Sequence, residues 1–267
     1  MWKRYKNEGL EVLGGFSPYI TGISSSSGNL SSLGNYVAND NTLLSTSAGI
    51  ANDEAMFMYG LCEIVSPKKI LIIGNSYGFS TVFLALTCPD SKLIAFDKYR
   101  TEGIRTTNRL LAGLINKEVI QASTPDDIPS IIENKLDGEV DFVLIDAVHT
   151  NDMQTAEFQI IDKYLSPKSI VVFHDVLSCG LLPSLHLLQN KFIKYDFRII
   201  NKSSTGIAVC IKGDKCESLD NFLSYFTISN EKVFGFNSLI MKNMNGSAVE
   251  LFSKCQFQYQ FMPHPQL

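Results

Sequence analysis

Residues 69–86 read KILIIGNSYGFSTVFLAL: an apolar run halts at a turn bracketed by two glycines, and a second apolar run begins. The run 70–73 is short, rich in β-branched residues and unbroken, the pattern of a strand buried on both faces of a parallel sheet. Gly74 and Gly78 let the backbone take positive φ and let a ligand approach closely, because no Cβ intervenes. Ser80 and Thr81 stand where the next helix opens, its first N–H groups having no partner within the helix. Strand, ligand loop and helix is the functional reading; a tight strand-to-helix turn without a ligand explains the stretch by itself equally well.

The glycine spacing narrows the ligand. A dinucleotide fingerprint needs G-x-G-x-x-G so that a pyrophosphate can rest on the helix N-terminus. This loop reads GNSYG, with no third glycine, which sets aside a nicotinamide dehydrogenase.

Composition bounds the partners. The 267 residues suit one domain with additions. With 45 % apolar and 19 % charged residues the chain is of globular type. A net charge of -4 leaves no basic footprint for nucleic acid or an anionic membrane, so small molecules are the favoured partners. Six cysteines, at 62, 88, 179, 210, 216 and 255, include no C-x-x-C pair, and Cys62 and Cys210 sit inside apolar segments. Free thiols in a reducing compartment are expected. Lys3, Arg4 and Lys6 are followed by Asn7, Glu8 and Glu11 instead of an apolar segment, and no apolar run has membrane-spanning length. The expectation is a cytoplasmic protein.

Residues 14–48 are rich in Ser, Gly and Asn, including the serine run 24–27, and show neither helical nor strand periodicity. Residues 1–51 are therefore expected to be an arm, or a lid over a ligand. A helix should start near Asn52, capped by Asn52 or Asp53, with Glu54 suiting its first turn and Phe57, Leu61, Ile64 and Val65 on one face. After the helix at 79–87, residues 92–96 form a second strand ending on Asp97. An acidic residue there, roughly twenty positions past a glycine loop, is where nucleoside-binding α/β folds hold ribose hydroxyls. The same residue also makes an ordinary strand-end turn. Strands at 118–122, 140–145 and 169–173 then alternate with helices at 101–114, 126–136, 151–165 and 181–191. Pro129 is tolerated in a first turn, and the helix at 151–165 is expected to bury Met153, Ala156, Ile160, Ile161 and Tyr164. This alternation argues for a doubly wound α/β sheet.

The alternation breaks at the end. Residues 195–200 and 207–211 read as two strands joined by a polar loop too short for a helix, hence an antiparallel hairpin. Beyond 213, a helix at 218–226 leads into Phe- and Asn-rich sequence suited to packing, self-association or acceptor binding.

Ligands in open parallel sheets bind outside the carboxyl ends of the strands. Four features fall there: the Gly74–Gly78 loop, Asp97, Asp146 with His149 in VDFVLIDAVHTND (140–152), and His174 with Asp175 in SIVVFHDV (169–176). With the glycine loop and the terminal hairpin, these stretches resemble the class I S-adenosylmethionine (SAM) methyltransferases, over roughly residues 52–213. The likeness is to the branch holding catechol-type, sugar and natural-product O-methyltransferases. The resemblance implies a Rossmann-like, mostly parallel sheet of seven strands ending in an antiparallel hairpin, SAM as donor, and a hydroxyl of a small molecule or sugar as acceptor. It implies that Gly74, Asn75, Ser76 and Gly78 hold the methionine part of SAM, with Ser80 at the helix start and Asp97 on the ribose. Ser123 and Thr124 would lie by the adenine, and Asp146 would border both cofactor and acceptor.

Catechol-type relatives hold magnesium through an aspartate after the fourth strand and an Asp-Asn pair after the fifth. This chain offers Asp146 and Asp175, but Val176 takes the asparagine's place. The carboxylates with an imidazole would suit Mg²⁺ or another divalent ion; alternatively they hydrogen-bond backbone at the strand ends. A hydroxyl must lose its proton to attack the sulfonium methyl group, and His174, then His149, are the candidate bases. His186, in a leucine-rich helix, and His264, in a proline-flanked tail, carry no such expectation. The rival reading is a non-catalytic or regulatory protein, or an oxygenase-like relative, that keeps the fold.

Overall fold

The computed structural model describes residues 1–16, 33–39, 42–44, 49–99, 101–200, 203 and 205–243. After α1 (Trp2–Asn7), the strands β1 (Glu11–Phe16), β2 (Leu33–Asn39) and β3 (Thr42–Leu43) form an antiparallel sheet in the order β1-β2-β3. This corrects the expectation that 14–48 lacks strands. Gly14 faces Asn35 and Gly15 faces Gly34 across the ladder. Glycines carry no side chains to alternate, so the period-2 signal vanishes while the backbone ladder still forms. The serine run 24–27 lies outside the described residues.

The main unit comprises α2 (Asn52–Val65), β4 (Lys69–Ile73), α3 (Phe79–Thr87), β5 (Lys92–Asp97), α4 (Thr101–Leu110), β6 (Lys117–Gln121), α5 (Ile128–Lys135), β7 (Val140–Ile145), α6 (Asn151–Ile161), β8 (Leu165–Phe173), α7 (Leu182–Lys191), β9 (Asp196–Ile200) and β10 (Ile207–Lys212); α8 (Glu217–Phe226) and α9 (Asn230–Asn243) follow. Seven strands pair in the order β6-β5-β4-β7-β8-β10-β9. Strands β4 to β8 are mutually parallel where they pair, and β10 runs antiparallel to both β8 and β9. The hairpin is thus present, with its second strand inserted next to β8. The order reverses at β4, whose neighbours are β5 and β7, and a crevice at such a switch point is where ligands bind.

Strand β4 explains why the opening stretch organises the chain. Its residues Ile70, Leu71, Ile72 and Ile73 are wholly buried. Ile70 and Ile72 join the core beneath α2, α3 and α8, while Leu71 and Ile73 join the opposite core beneath α5, α6 and α7. Burying each such side chain stabilises the fold by about 1.5–3 kcal/mol. On the first face Phe57 of α2 stacks on Phe222 of α8 at 5.4 Å, so α8 packs on the main unit.

Two local expectations fail for tertiary reasons. Helix α2 is capped by neither Asn52 nor Asp53: its N-cap is Ala51, whose N–H donates to Glu54 Oε2 at 2.9 Å. Helix α6 buries Gln154, Glu157, Phe158 and Ile161, while Met153, Ala156 and Ile160 are only half-buried and Tyr164 lies in a 3-10 turn beyond its end. The polar pair can face inward because Gln154 Nε2 donates to Ser184 Oγ at 2.6 Å and Thr124 Oγ1 donates to Glu157 Oε1 at 2.6 Å.

Candidate active site

The glycine loop is shaped by its protein neighbours. Gly74 has φ +98, and a Cβ there would lie 2.0 Å from the Asp146 carbonyl oxygen; Gly78 has φ +81, and its Cβ would lie 2.3 Å from Thr107 Oγ1. Glycine is required at both positions because strand β7 and helix α4 come so close. Asn75 is buried, and its side chain is spent inside the loop: Oδ1 accepts from Thr81 Oγ1 at 2.9 Å, and Nδ2 donates to Ser76 O at 2.8 Å and Thr107 Oγ1 at 3.0 Å. Ser80 is buried at the start of α3.

Asp97, at the end of β5, leans onto this loop. Its Oδ2 accepts the N–H groups of Asn75 at 3.2 Å and Ser76 at 2.9 Å, and Oδ1 accepts that of Tyr99 at 3.2 Å. The adjacent edge is set by the turn after β6, where the Ser123 N–H donates to Asp127 Oδ2 at 2.7 Å and Thr124 engages Glu157. Glu157 is wholly buried, and its Oε2 has no hydrogen-bond partner among the described residues. Burial pushes its pKa up to about 7, against the opposing pull of the Thr124 hydroxyl and the His149 charge.

Beside the loop, the ends of β7 and β8 bring four side chains together. Asp146 Oδ1 is 2.9 Å from His174 Nδ1 and 3.3 Å from His149 Nε2. Asp175 Oδ2 is 3.4 Å from each of the same two nitrogens. One ligand-type atom from each of Asp146, His149, His174 and Asp175 lies within 4.8 Å of the others. Ser178 Oγ donates to the other oxygen of Asp175 at 2.5 Å. Burial by itself would lower both imidazole pKa values, but the carboxylates prevail: Asp146, Asp175 and Glu54 hold His174 well above the usual range, and Asp175 with Asp146 does so for His149. Burial would raise both aspartates, yet the imidazoles keep Asp146 and Asp175 below the ordinary carboxylate range.

The structure therefore gathers Asp146, His149, His174 and Asp175 at one locus, and Gly74, Asn75, Ser76, Gly78 and Asp97 at the loop beside it. His186 packs edge-on against Phe234 at 4.9 Å, and His264 lies outside the described residues. Sequence reasoning missed Glu54, which is wholly buried with Oε2 2.9 Å from His174 Nε2 and Oε1 accepting the Thr205 N–H at 2.9 Å. A glutamate in a first helical turn looks like a dipole-favoured surface acid. It missed Glu157 as well, since nothing local marks a helix acid as core-facing.

Residues 71–176, the span from the glycine-loop strand through the second aspartate, match the model of a family described as a methyltransferase domain. Over this segment the chain is similar to a methyltransferase domain. The resemblance read from the loop and strand-end motifs holds, and the domain contains every candidate site residue named from the sequence. Among curated proteins, none matches the chain significantly. Solved structures do. Cofactor-bound Rv0187 from MTB aligns at 20 % identity and TM-score 0.52, over 62 % of this chain and 83 % of that one. An O-methyltransferase from Bacillus cereus in complex with S-adenosylhomocysteine aligns at 17 % and 0.52, over 61 % and 82 %. The O-methyltransferase TomG from Streptomyces achromogenes, involved in tomaymycin synthesis and in complex with SAM, aligns at 19 % and 0.52, over 62 % and 82 %. At these identities the likeness establishes the Rossmann-like methyltransferase fold. Among the described residues, no helix is long and apolar enough to cross a membrane.

Proposed function

We propose that the protein transfers the methyl group of SAM to a hydroxyl of a small molecule or sugar. The observation that carries this reading is the Asp97 carboxylate held against the Asn75 and Ser76 N–H groups at the switch point of the sheet, inside the span similar to a methyltransferase domain. A carboxylate fixed by three backbone donors, two on Oδ2 and the Tyr99 N–H on Oδ1, keeps acceptor capacity on Oδ1 for a ribose hydroxyl and needs no rearrangement to receive it. Two structural neighbours, the Bacillus cereus enzyme and TomG, hold S-adenosylhomocysteine and SAM, which supports the cofactor assignment. On this reading Gly74 to Gly78 border the methionine part, and Ser123 and Thr124 the adenine.

Methyl transfer to oxygen needs an acceptor relieved of its proton. The position of His174 after a strand end suggests a base, but its geometry argues against that role. The ring is 3 % exposed, and its two nitrogens lie 2.9 Å from Asp146 and 2.9 Å from Glu54. His149 Nε2 likewise turns inward, toward Asp146 and Asp175. The donor set instead fits a divalent ion, which Asp146 and Asp175 would hold with their Oδ1 and Oδ2 atoms. Such an ion, when bound, polarises a hydroxyl and lowers its pKa. The protein's own part is to orient those oxygens: Ser178 takes up Asp175 Oδ1 and leaves Oδ2 facing the cluster.

Calorimetry with S-adenosylhomocysteine, followed by assay of methyl-labelled SAM against phenolic, catecholic and sugar hydroxyls, tests the proposal. Binding plus label transfer to a hydroxyl is expected. Absence of binding would refute the cofactor assignment, and binding without transfer would favour a non-catalytic protein of the same fold.

A further inference from the structure

The cluster departs from an all-oxygen site in a way that its outer contacts reinforce. Four side chains converge, and two of them present imidazole nitrogen. Consecutive donors are separated by 2.9, 3.3, 3.4 and 3.4 Å. Donors that share one ion at about 2.1 Å lie about 3–4 Å apart, and all four atoms lie within 4.8 Å of one another, so a small inward adjustment lets them meet on a common centre. Their own hydrogen-bonding geometry also suits a closed ion-pair cluster, and the composition of the surroundings separates the two.

Metal-bound histidines commonly donate their second ring N–H to a carboxylate, which fixes the tautomer that ligates. His174 does this: Nδ1 faces Asp146 and Asp175, while Nε2 lies on Glu54 Oε2 at 2.9 Å. Glu54 is itself immobilised, with Oε2 also taking the Ala51 N–H and Oε1 taking the Thr205 N–H and hydroxyl. Asp175 has its own support in Ser178. The position after Asp175, where catechol-type relatives carry an amide oxygen, is the buried, apolar Val176. Magnesium prefers oxygen ligands and dehydrates reluctantly, whereas imidazole suits iron, nickel, copper and zinc, with affinity generally rising from manganese through iron, cobalt and nickel to copper and falling again at zinc.

We propose that Asp146, His149, His174 and Asp175 form a site for a divalent first-row transition ion, preferred over magnesium through its two imidazole ligands, with Glu54 holding His174 in the ligating tautomer. This deepens the reading of the cluster as the place where an acceptor hydroxyl is activated, and rests on it for the use of the ion, not for its binding. Glu54 is a positioning residue, acting through His174.

The test uses the full chain stripped with chelator and dialysed separately against cobalt, manganese, zinc and magnesium. Metal content and the visible ligand-field spectrum of the cobalt form are read, and S-adenosylhomocysteine calorimetry runs in parallel on the stripped protein. One cobalt per chain is expected, with bands that millimolar magnesium does not remove. His149→Ala should weaken cobalt binding by at least about 100-fold, and Glu54→Gln by about 10- to 100-fold while the stoichiometry stays at one. Should a variant fail to fold by circular dichroism, magnesium competition against the wild-type cobalt spectrum still decides. Stripped protein that is folded and binds S-adenosylhomocysteine but takes up none of the transition ions would overturn the proposal. So would equal competition by magnesium, or unchanged cobalt bands in a folded His149→Ala variant. Ion uptake without S-adenosylhomocysteine binding would sustain this inference and refute the methyl-transfer reading instead.

Discussion

Glu157→Gln should flatten part of the protein's pH–stability profile. The Glu157 carboxyl is wholly buried, one oxygen accepts from Thr124 at 2.6 Å and the other has no partner among the described residues. Burial raises its pKa from 4.5 to about 7 in the folded state. A raised folded-state pKa means that the native protein holds its proton where the unfolded chain has lost it. The stabilisation is therefore complete below about pH 4.5, fades as the pH rises to about 7, and stays lost above that. The shift of roughly 2.5 units corresponds to about 3 kcal/mol at 1.36 kcal/mol per unit. Glutamine does not titrate, so the stability of wild type minus that of Glu157→Gln should fall by about 3 kcal/mol across this window and then level off. Fixed differences, such as the unmatched amide donors that glutamine brings to the Oε2 position, cancel in the slope. Denaturant titrations of both chains at closely spaced pH values measure it. A difference constant to within about 0.5 kcal/mol from pH 4.5 to 8 would refute the reasoning.

Asp97→Ala removes charge-assisted contacts worth about 1.5–3 kcal/mol and should weaken S-adenosylhomocysteine at least about tenfold by calorimetry; unchanged affinity would move the ribose site elsewhere. Gly74→Ala should prevent folding or cost several-fold more than Gly138→Ala. Both glycines have positive φ, worth about 1–2 kcal/mol to an L-residue, but Gly138 has nothing within 4 Å of its added Cβ whereas Gly74 meets the Asp146 carbonyl at 2.0 Å. Equal losses in thermal melts would show that conformation alone decides. His149→Ala should lower turnover by roughly 10²- to 10⁴-fold with S-adenosylhomocysteine affinity nearly intact, and a fall in affinity with unchanged turnover would place the residue on the cofactor side.

The elements from 52 to 213 were legible because their signals are local. An unbroken β-branched run such as 70–73 means a strand buried on both faces, and the predicted bounds of α3 and β7 coincide with those observed. Once strands and helices alternate, chain connectivity puts Asp97, Asp146 and Asp175 at the same end of the sheet. The small antiparallel sheet of β1 to β3 was not legible, since glycines on both strands of the ladder erase the alternation by which strands are recognised. The inward face of α6 was misjudged because Gln154 and Glu157 are polar, and only their bonds to Ser184 and Thr124, 30 and 33 residues away, make burial tolerable. Sequence named the two aspartates and two histidines individually, but their convergence depends on β7 and β8 lying side by side, His174 N–H bonding to Ile145 O. Glu54 reaches His174 across 120 residues, and the hairpin delivers Thr205 to the same carboxylate across 151. Propensity and periodicity report what a residue meets within a few positions of itself, whereas a buried charge is made acceptable by partners that only the completed sheet brings within hydrogen-bonding distance.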